Sequence, residues 1–138
     1  WLARSPHVAP GKAAVFGYCM GGNAAMRIVD AVPDRIAAVA SIHGGGIATD
    51  QPNSPHLRVP QMTCEVYVAG AVEDGSFDDQ AKQRLVAALD QAARPHQVET
   101  YAGAKHGFAV ADHPTYDEAA SERHFAALRA LLQRALAT

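Results

Sequence analysis

Cys19 stands in the run Gly17-Tyr18-Cys19-Met20-Gly21-Gly22, with one glycine two places before it and another two places after. A thiol is a strong nucleophile only as the thiolate, so it needs a base that takes its proton and passes it to a leaving group. Histidine titrates in the right range, and a carboxylate holds it in the tautomer that the task requires. The chain offers seven histidines and 14 acidic residues, so placement has to decide among them.

The elements around Cys19 set its geometry. Lys12-Ala13-Ala14-Val15-Phe16 is short and apolar, and a strand is predicted over Ala13–Gly17. Asn23–Ala31 reads as a helix that stops before Pro33. A strand, a tight glycine-flanked turn and a helix form an elbow that presents its central residue as a nucleophile. Such a turn is strained, often at positive φ. Side chains at Gly17 and Gly21 are expected to collide where strand and helix approach each other. Cys19 then lies at a helix N-terminus, where free N–H groups and the helix dipole favour a thiolate.

The remaining chain supplies the partners. Arg35–His43 is a second strand, apolar almost without a break, as in a parallel strand covered on both faces. It ends in the turn Gly44-Gly45-Gly46, and a long loop with three prolines fills 47–62. A third strand, Glu65–Gly70, is followed by a polar loop over 71–77 that carries Glu73, Asp74 and Ser76. Asp78 or Asp79 caps the next helix, which runs to about Ala93 with Leu85, Val86 and Leu89 as its apolar stripe. Gln97–Tyr101 alternates and is expected near a sheet edge; a loop with Lys105-His106-Gly107-Phe108 follows. The last helix spans Tyr116 to Ala135, with Phe125, Leu128, Leu131, Leu132 and Leu136 as its buried face.

Alternating strands and helices imply an α/β fold with a parallel sheet. Right-handed crossovers bring the carboxyl ends of the strands to one edge, where such sheets bind ligands. Loops leaving that edge carry Cys19, Asp74 and His106. For the acid, Glu73, Asp78 and Asp79 compete with Asp74, and Asp79 suits a helix cap better.

The 138 residues suffice for one domain, 1–138, with a modest core. A composition 49% hydrophobic and 19% charged is that of a globular protein. The formal charge of −2 and the lack of a basic run exclude nucleic acid as an expected partner. No apolar stretch approaches the roughly 18 residues that cross a bilayer, so no membrane role is expected. Nor does the start carry a secretory signal pattern. The two cysteines, Cys19 and Cys64, do not form a disulfide framework, and a reduced, cytoplasmic setting fits them. Trp1-Leu2-Ala3-Arg4, with no Met before it, reads as the last turn of a helix, so the chain is expected to begin in the middle of a fold.

Four stretches together carry a family resemblance. Gly17–Gly22, His43-Gly44-Gly45-Gly46, Val68-Ala69-Gly70-Ala71-Val72-Glu73-Asp74 and Lys105-His106-Gly107-Phe108-Ala109 resemble the C-terminal part of the dienelactone hydrolase family. The likeness continues to Tyr116-Asp117-Glu118-Ala119-Ala120 in the last helix. It implies a partial α/β-hydrolase fold, a mostly parallel sheet of about four strands with flanking helices, lacking the N-terminal strands. It implies hydrolysis of a small carboxylic ester or lactone through a thioester, with a triad of Cys19, His106 and Asp74 in the order nucleophile, acid, histidine. The Met20 N–H, next after the nucleophile, is then one oxyanion donor. No metal or organic cofactor is implied. The family's earlier strands supply a second oxyanion donor, a glutamate that helps activate the thiol, and part of the pocket. Gly107 and Val110 stand where the name-giving enzymes have polar and basic residues that hold the substrate carboxylate, which points away from dienelactone itself.

Plainer roles stand beside these. A free cysteine is often just a small buried hydrophobe, and His106 competes with six other histidines. Tyr18, His43 and Phe108 are candidates to line the substrate pocket, with packing and a structural turn as the alternatives. Cys64 reads as inert core, and the other histidines show no metal-ligand spacing. A non-catalytic reading also follows. The elbow strand normally lies mid-sheet, and an open edge there is a template for pairing. The chain is then expected to self-associate along that edge, or to need a separate N-terminal piece. A redox sensor at Cys19 is the weakest reading, because no resolving cysteine is near it.

Overall fold

The computed structural model describes residues 4–72 and 74–137. The helical turn expected at the start, over residues 1–4, falls mostly outside them, as does Glu73. The described chain forms β1 (Ala13–Tyr18), α1 (Met20–Ala31), β2 (Ile36–Ile42), β3 (Glu65–Ala71), α2 (Asp79–Gln91), β4 (His96–Tyr101) and α3 (Glu118–Ala135). All three strand pairings are parallel, and the four strands lie side by side in chain order, β1-β2-β3-β4. This is the parallel four-strand sheet with flanking helices that the alternation predicts.

Period-two alternation along the strands divides the core between two faces. Val39, Val66 and Val68 point to the side covered by α1 and α2, where they meet Met26, Val29, Leu85 and Leu89. Ala38, Ala40, Ile42, Tyr67 and Ala69 point to the other side, under Leu128 and Leu131 of α3. Central strands buried on both faces explain why the sequence of β2 is apolar almost throughout. β4 is one edge of the sheet, as its alternation suggests, and β1 is the other.

Several boundaries move for local reasons. α1 starts at Met20, directly after Cys19, rather than at Asn23. Two glycines in its first turn hide its helical pattern. Asp78 is the cap of α2, its carboxylate accepting from the Ala81 N–H at 2.8 Å, while Asp79 begins the helix. Asp117 caps α3 in the same way through Ala120. The proline-rich loop contains a 3-10 helix over Pro55–Gln61.

The buried face of α3 also differs. Leu128 and Leu131 are buried, but Phe125 is 44% and Leu136 41% exposed. Ala120, Ser121 and His124 occupy the buried stripe instead. Two polar residues in that stripe disguise it in the sequence. On α2, Leu85 and Leu89 are buried and Val86 only partly so. Among the described residues, no helix is long and apolar enough to cross a membrane.

Candidate active site

The elbow forms at the carboxyl end of β1. Cys19 adopts φ 52°, ψ −122° and caps the N-terminus of α1. A non-glycine residue in such a sparsely populated region costs on the order of 1–3 kcal/mol and marks a constrained site. The thiol is exposed, and Cys19 closes the turn by accepting the Gly22 N–H on its carbonyl at 3.0 Å.

The glycine expectation is half met. A methyl group on Gly17 would fall on the backbone of Gly21, so the strand side of the turn admits only glycine. One on Gly21 would meet nothing within 4 Å. The close approach on the helix side belongs to Gly22, where a methyl would strike the Ser41 hydroxyl of β2.

The two predicted partners converge on the sulfur. His106 Nε2 lies 3.1 Å from Cys19 Sγ, across 87 residues of sequence. On the far side of the ring, His106 Nδ1 lies 2.7 Å from Asp74 Oδ2. An ionised carboxylate only accepts hydrogen bonds, so Nδ1 carries the proton and leaves Nε2 free to receive one from the thiol. The Asp74 side chain is 4% exposed and that of His106 38%. The acid is thus shielded, while the base reaches the surface beside Cys19. Of the rival acids, Asp78 caps α2 and Asp79 lies in its first turn.

The electrostatics favour an ion pair. The His106 hydrogen bond holds the Cys19 thiol below its ordinary range; slight burial opposes this, and the Met20 N–H adds to it. At His106, burial pushes the imidazole down, but the bonds to Asp74 and Cys19 outweigh it and the net shift is upward. At Asp74, burial pushes the carboxyl up, and hydrogen bonds from Ser76 and His106 bring it below its usual value. Acid thiol, basic imidazole and ionised carboxylate are mutually consistent. Cys64 is the opposite case: burial raises its thiol to about 11.

Several residues that the sequence did not single out hold this arrangement. Ser76 donates to Asp74 Oδ1 twice, from its backbone N–H at 3.0 Å and from its hydroxyl, and so fixes the carboxylate oxygen that His106 does not use. Asn23, on α1, donates from Nδ2 to the carbonyls of Gly45 and Gly46 at 3.1 and 2.9 Å. The Gly46 N–H in turn reaches the Ser76 carbonyl at 2.9 Å. The elbow helix, the turn after β2 and the acid loop are therefore tied together. Thr115 donates its hydroxyl to the His106 carbonyl at 2.6 Å and steadies the histidine loop.

The candidate pocket residues divide. Tyr18 is half-buried and its hydroxyl lies 3.1 Å from His124 Nε2. His43 and Phe108 are 1% and 0% exposed; the His43 ring packs against His106 and Phe108 packs behind it on His43, so neither forms an open wall. Met20 turns its side chain outward, 83% exposed, and its backbone N–H lies beside the sulfur. A concavity of about 610 Å³ opens between the 3-10 helix and α2, lined by His56, Leu57, Pro60 and Arg84 among others. Neither Cys19, Asp74 nor His106 lines it. Among the described residues, no three His, Cys, Asp or Glu side chains group as a metal site would need.

The model of the dienelactone hydrolase family matches residues 1–136. This chain belongs to the dienelactone hydrolase family. No curated protein matches it. Solved structures share its fold at low identity. A dienelactone hydrolase-like promiscuous phosphotriesterase from metagenomic libraries superposes with a TM-score of 0.81 at 21% identity, covering 97% of this chain and 56% of its own. A Klebsiella pneumoniae protein assigned as a dienelactone hydrolase gives 0.76 at 19%, covering 86% and 50%. A puromycin-hydrolysing peptidase of Mycobacterium tuberculosis gives 0.77 at 18%, covering 94% and 23%. The chain thus spans about half the length of the first two. Family membership makes it a hydrolase-family protein with an α/β-hydrolase fold.

Proposed function

We propose that the protein hydrolyses a small carboxylic ester or lactone through a covalent thioester, with Cys19 as nucleophile, His106 as general base and acid, and Asp74 as the residue that orients His106. The observation that carries this reading is the hydrogen-bonded chain from Cys19 Sγ through His106 to Asp74, at 3.1 and 2.7 Å. The thiolate attacks the carbonyl carbon, and the oxyanion that forms takes a hydrogen bond from the Met20 N–H. His106 Nε2 gives its proton to the departing alkoxide, which leaves an acyl group on the sulfur. Water then attacks the thioester while His106 removes its proton, and collapse releases the acid and the thiolate.

Among the structural neighbours are a phosphotriesterase and a peptidase, so substrate class has to be tested directly. A carboxylic ester is preferred here because the family is named for a lactone substrate and a lone thiolate acylates readily. Hydrolysis of p-nitrophenyl acetate, set against paraoxon and an amino-acid anilide, makes the comparison. Cys19→Ala is expected to cost on the order of 10³-fold or more in kcat. Unchanged ester hydrolysis in that variant would overturn the mechanism.

A second reading is favoured by the open edge of β1, with Phe16 47% exposed on it. Unpaired strand edges recruit partners. In this reading further strands cover β1 before the site works, in keeping with the two dienelactone hydrolase-like neighbours, each about twice as long. A monomer by light scattering that hydrolyses esters at full rate would remove it.

A further inference from the structure

His43 departs from local expectation in three ways at once. It is not glycine, yet it holds φ 38°. It is polar, yet 1% exposed. Among the described residues, neither of its ring nitrogens finds a hydrogen-bond partner in another residue. Left-handed backbone at such a residue and an unpartnered buried polar group each cost on the order of 1–3 kcal/mol. Costs of this kind persist where a site needs them.

What His43 gains is its place against the reacting pair. Its ring centroid lies 5.1 Å from that of His106, at an interplanar angle of 61°. Phe108 and Tyr18 hold it from other sides at 5.3 and 5.8 Å. Its backbone is clamped as well: the His43 N–H reaches the Ala69 carbonyl at 2.7 Å. Gly44, next to it, packs so closely that a methyl there would strike the Ser41 hydroxyl.

We propose that His43 is a positioning residue for the Cys19–His106 pair: its buried ring fixes the plane of the His106 imidazole so that Nε2 faces the sulfur. This rests on the mechanism proposed above. The hydrogen bond from Nδ1 to Asp74 pins one end of the imidazole but leaves the ring free to swing about that bond. A rigid ring seated against it removes the swing. His43 also suits the proton transfer. When His106 takes the thiol proton it becomes a cation, and a neutral aromatic ring within about 6 Å attracts a cation, whereas a second cation repels it. Burial first, and then the His106 charge, hold His43 at about 4, while Asp74 pulls upward and His124 of α3 downward. Tyr18 and Phe108, which also face it, carry no charge near neutral pH, so His43 is neutral there.

The test reads the pair without any substrate. Alkylation of Cys19 by iodoacetamide is followed by intact mass against pH, in the wild type, His43→Asn and His43→Phe. Asparagine tolerates positive φ but removes the ring, and phenylalanine keeps a ring without nitrogens. His43→Gly replaces the asparagine variant should that fail to fold. Cys64, buried with its thiol near 11, does not compete, and Cys19→Ala verifies this. The wild-type midpoint is expected below the ordinary thiol value of about 8.5. In His43→Asn it is expected to rise by about one unit, a tenfold loss of thiolate on the acid side, and His43→Phe is expected to restore it. A purely structural role lowers the melting temperature and leaves the midpoint of the folded protein in place. A low wild-type midpoint that His43→Asn does not move therefore overturns this inference alone, as does a phenylalanine variant no better than asparagine. An ordinary wild-type midpoint overturns the Cys19–His106 mechanism itself, and the inference with it.

Discussion

The sulfur of Cys19 draws its acidity from one neighbour more than from its place on α1. The His106 hydrogen bond is the leading cause of the lowered thiol, ahead of the Met20 N–H at the helix start. Asp74 acts one bond further away by raising the proton affinity of His106. The sign follows. With Asp74→Asn, His106 holds a proton less well, the thiolate loses its countercharge, and the acid limb of kcat/KM against pH moves up. A limb that stays at the wild-type pH would remove Asp74 from its role. Ser76→Ala deletes the hydroxyl bond to Asp74 and keeps the backbone one. A bond to a charged group contributes roughly 1.5–3 kcal/mol when buried, and this residue is exposed. A loss of about tenfold in kcat with KM unchanged is therefore the expected result, just below the low end of that range. Cys19, Asp74 and His106 were legible in the sequence because each follows a strand, and a parallel sheet gathers those positions on one edge. Ser76, Asn23 and Thr115 were not. Small polar residues look alike in a sequence, and only the fold shows which of them reaches a carboxylate or an orphan carbonyl.

At the scale of elements, the elbow depends on one glycine from the strand and one from the helix, and they are Gly17 and Gly22. Gly17→Ala is expected to destabilise the protein or shift the elbow, because its methyl falls on the Gly21 backbone; overpacking of this sort costs about 1–3 kcal/mol. Gly21→Ala, by contrast, enters open space within a helix, and is expected to be neutral or to stabilise by up to about 1 kcal/mol. Urea midpoints of the two variants decide the point: equal losses would contradict the geometry of the turn. Leu85→Ala, in the core between α2 and the sheet, is expected to cost roughly 2–5 kcal/mol by the same measurement. The first three strands were legible from their apolar runs, the fourth from its alternation, and α2 from its cap and stripe. The face of α3 was not, because leucines at 128, 131, 132 and 136 suggest a stripe through Phe125, while the helix turns His124 and Ser121 inward. His124 is accommodated by the Tyr18 hydroxyl at 3.1 Å, a pairing over 106 residues that no local pattern reveals.

At the scale of the whole molecule, the described sheet has two outer strands, β1 and β4. The histidine loop and α3 follow β4, whereas β1, which leads into Cys19, has no neighbour on its outer side among the described residues, and Phe16 is exposed on it. Concentration-dependent association is expected in light scattering, and Phe16→Lys, a charge on that edge, is expected to reduce it. A wild type that stays monomeric at all concentrations would count against pairing along β1. The fold class was readable from the order of strands and helices, and the edge position of β4 from that strand's own alternation. The sheet also has a temporal meaning. Because its spatial order repeats its chain order, each strand can add to the one before it, and contacts between neighbouring strands stay short in sequence. The thiol comes in with the first strand and its imidazole only after the last. During refolding, then, the sulfur should behave as an ordinary thiol until β4 docks, and its sudden acidity would be the protein's own signal that the last strand has arrived.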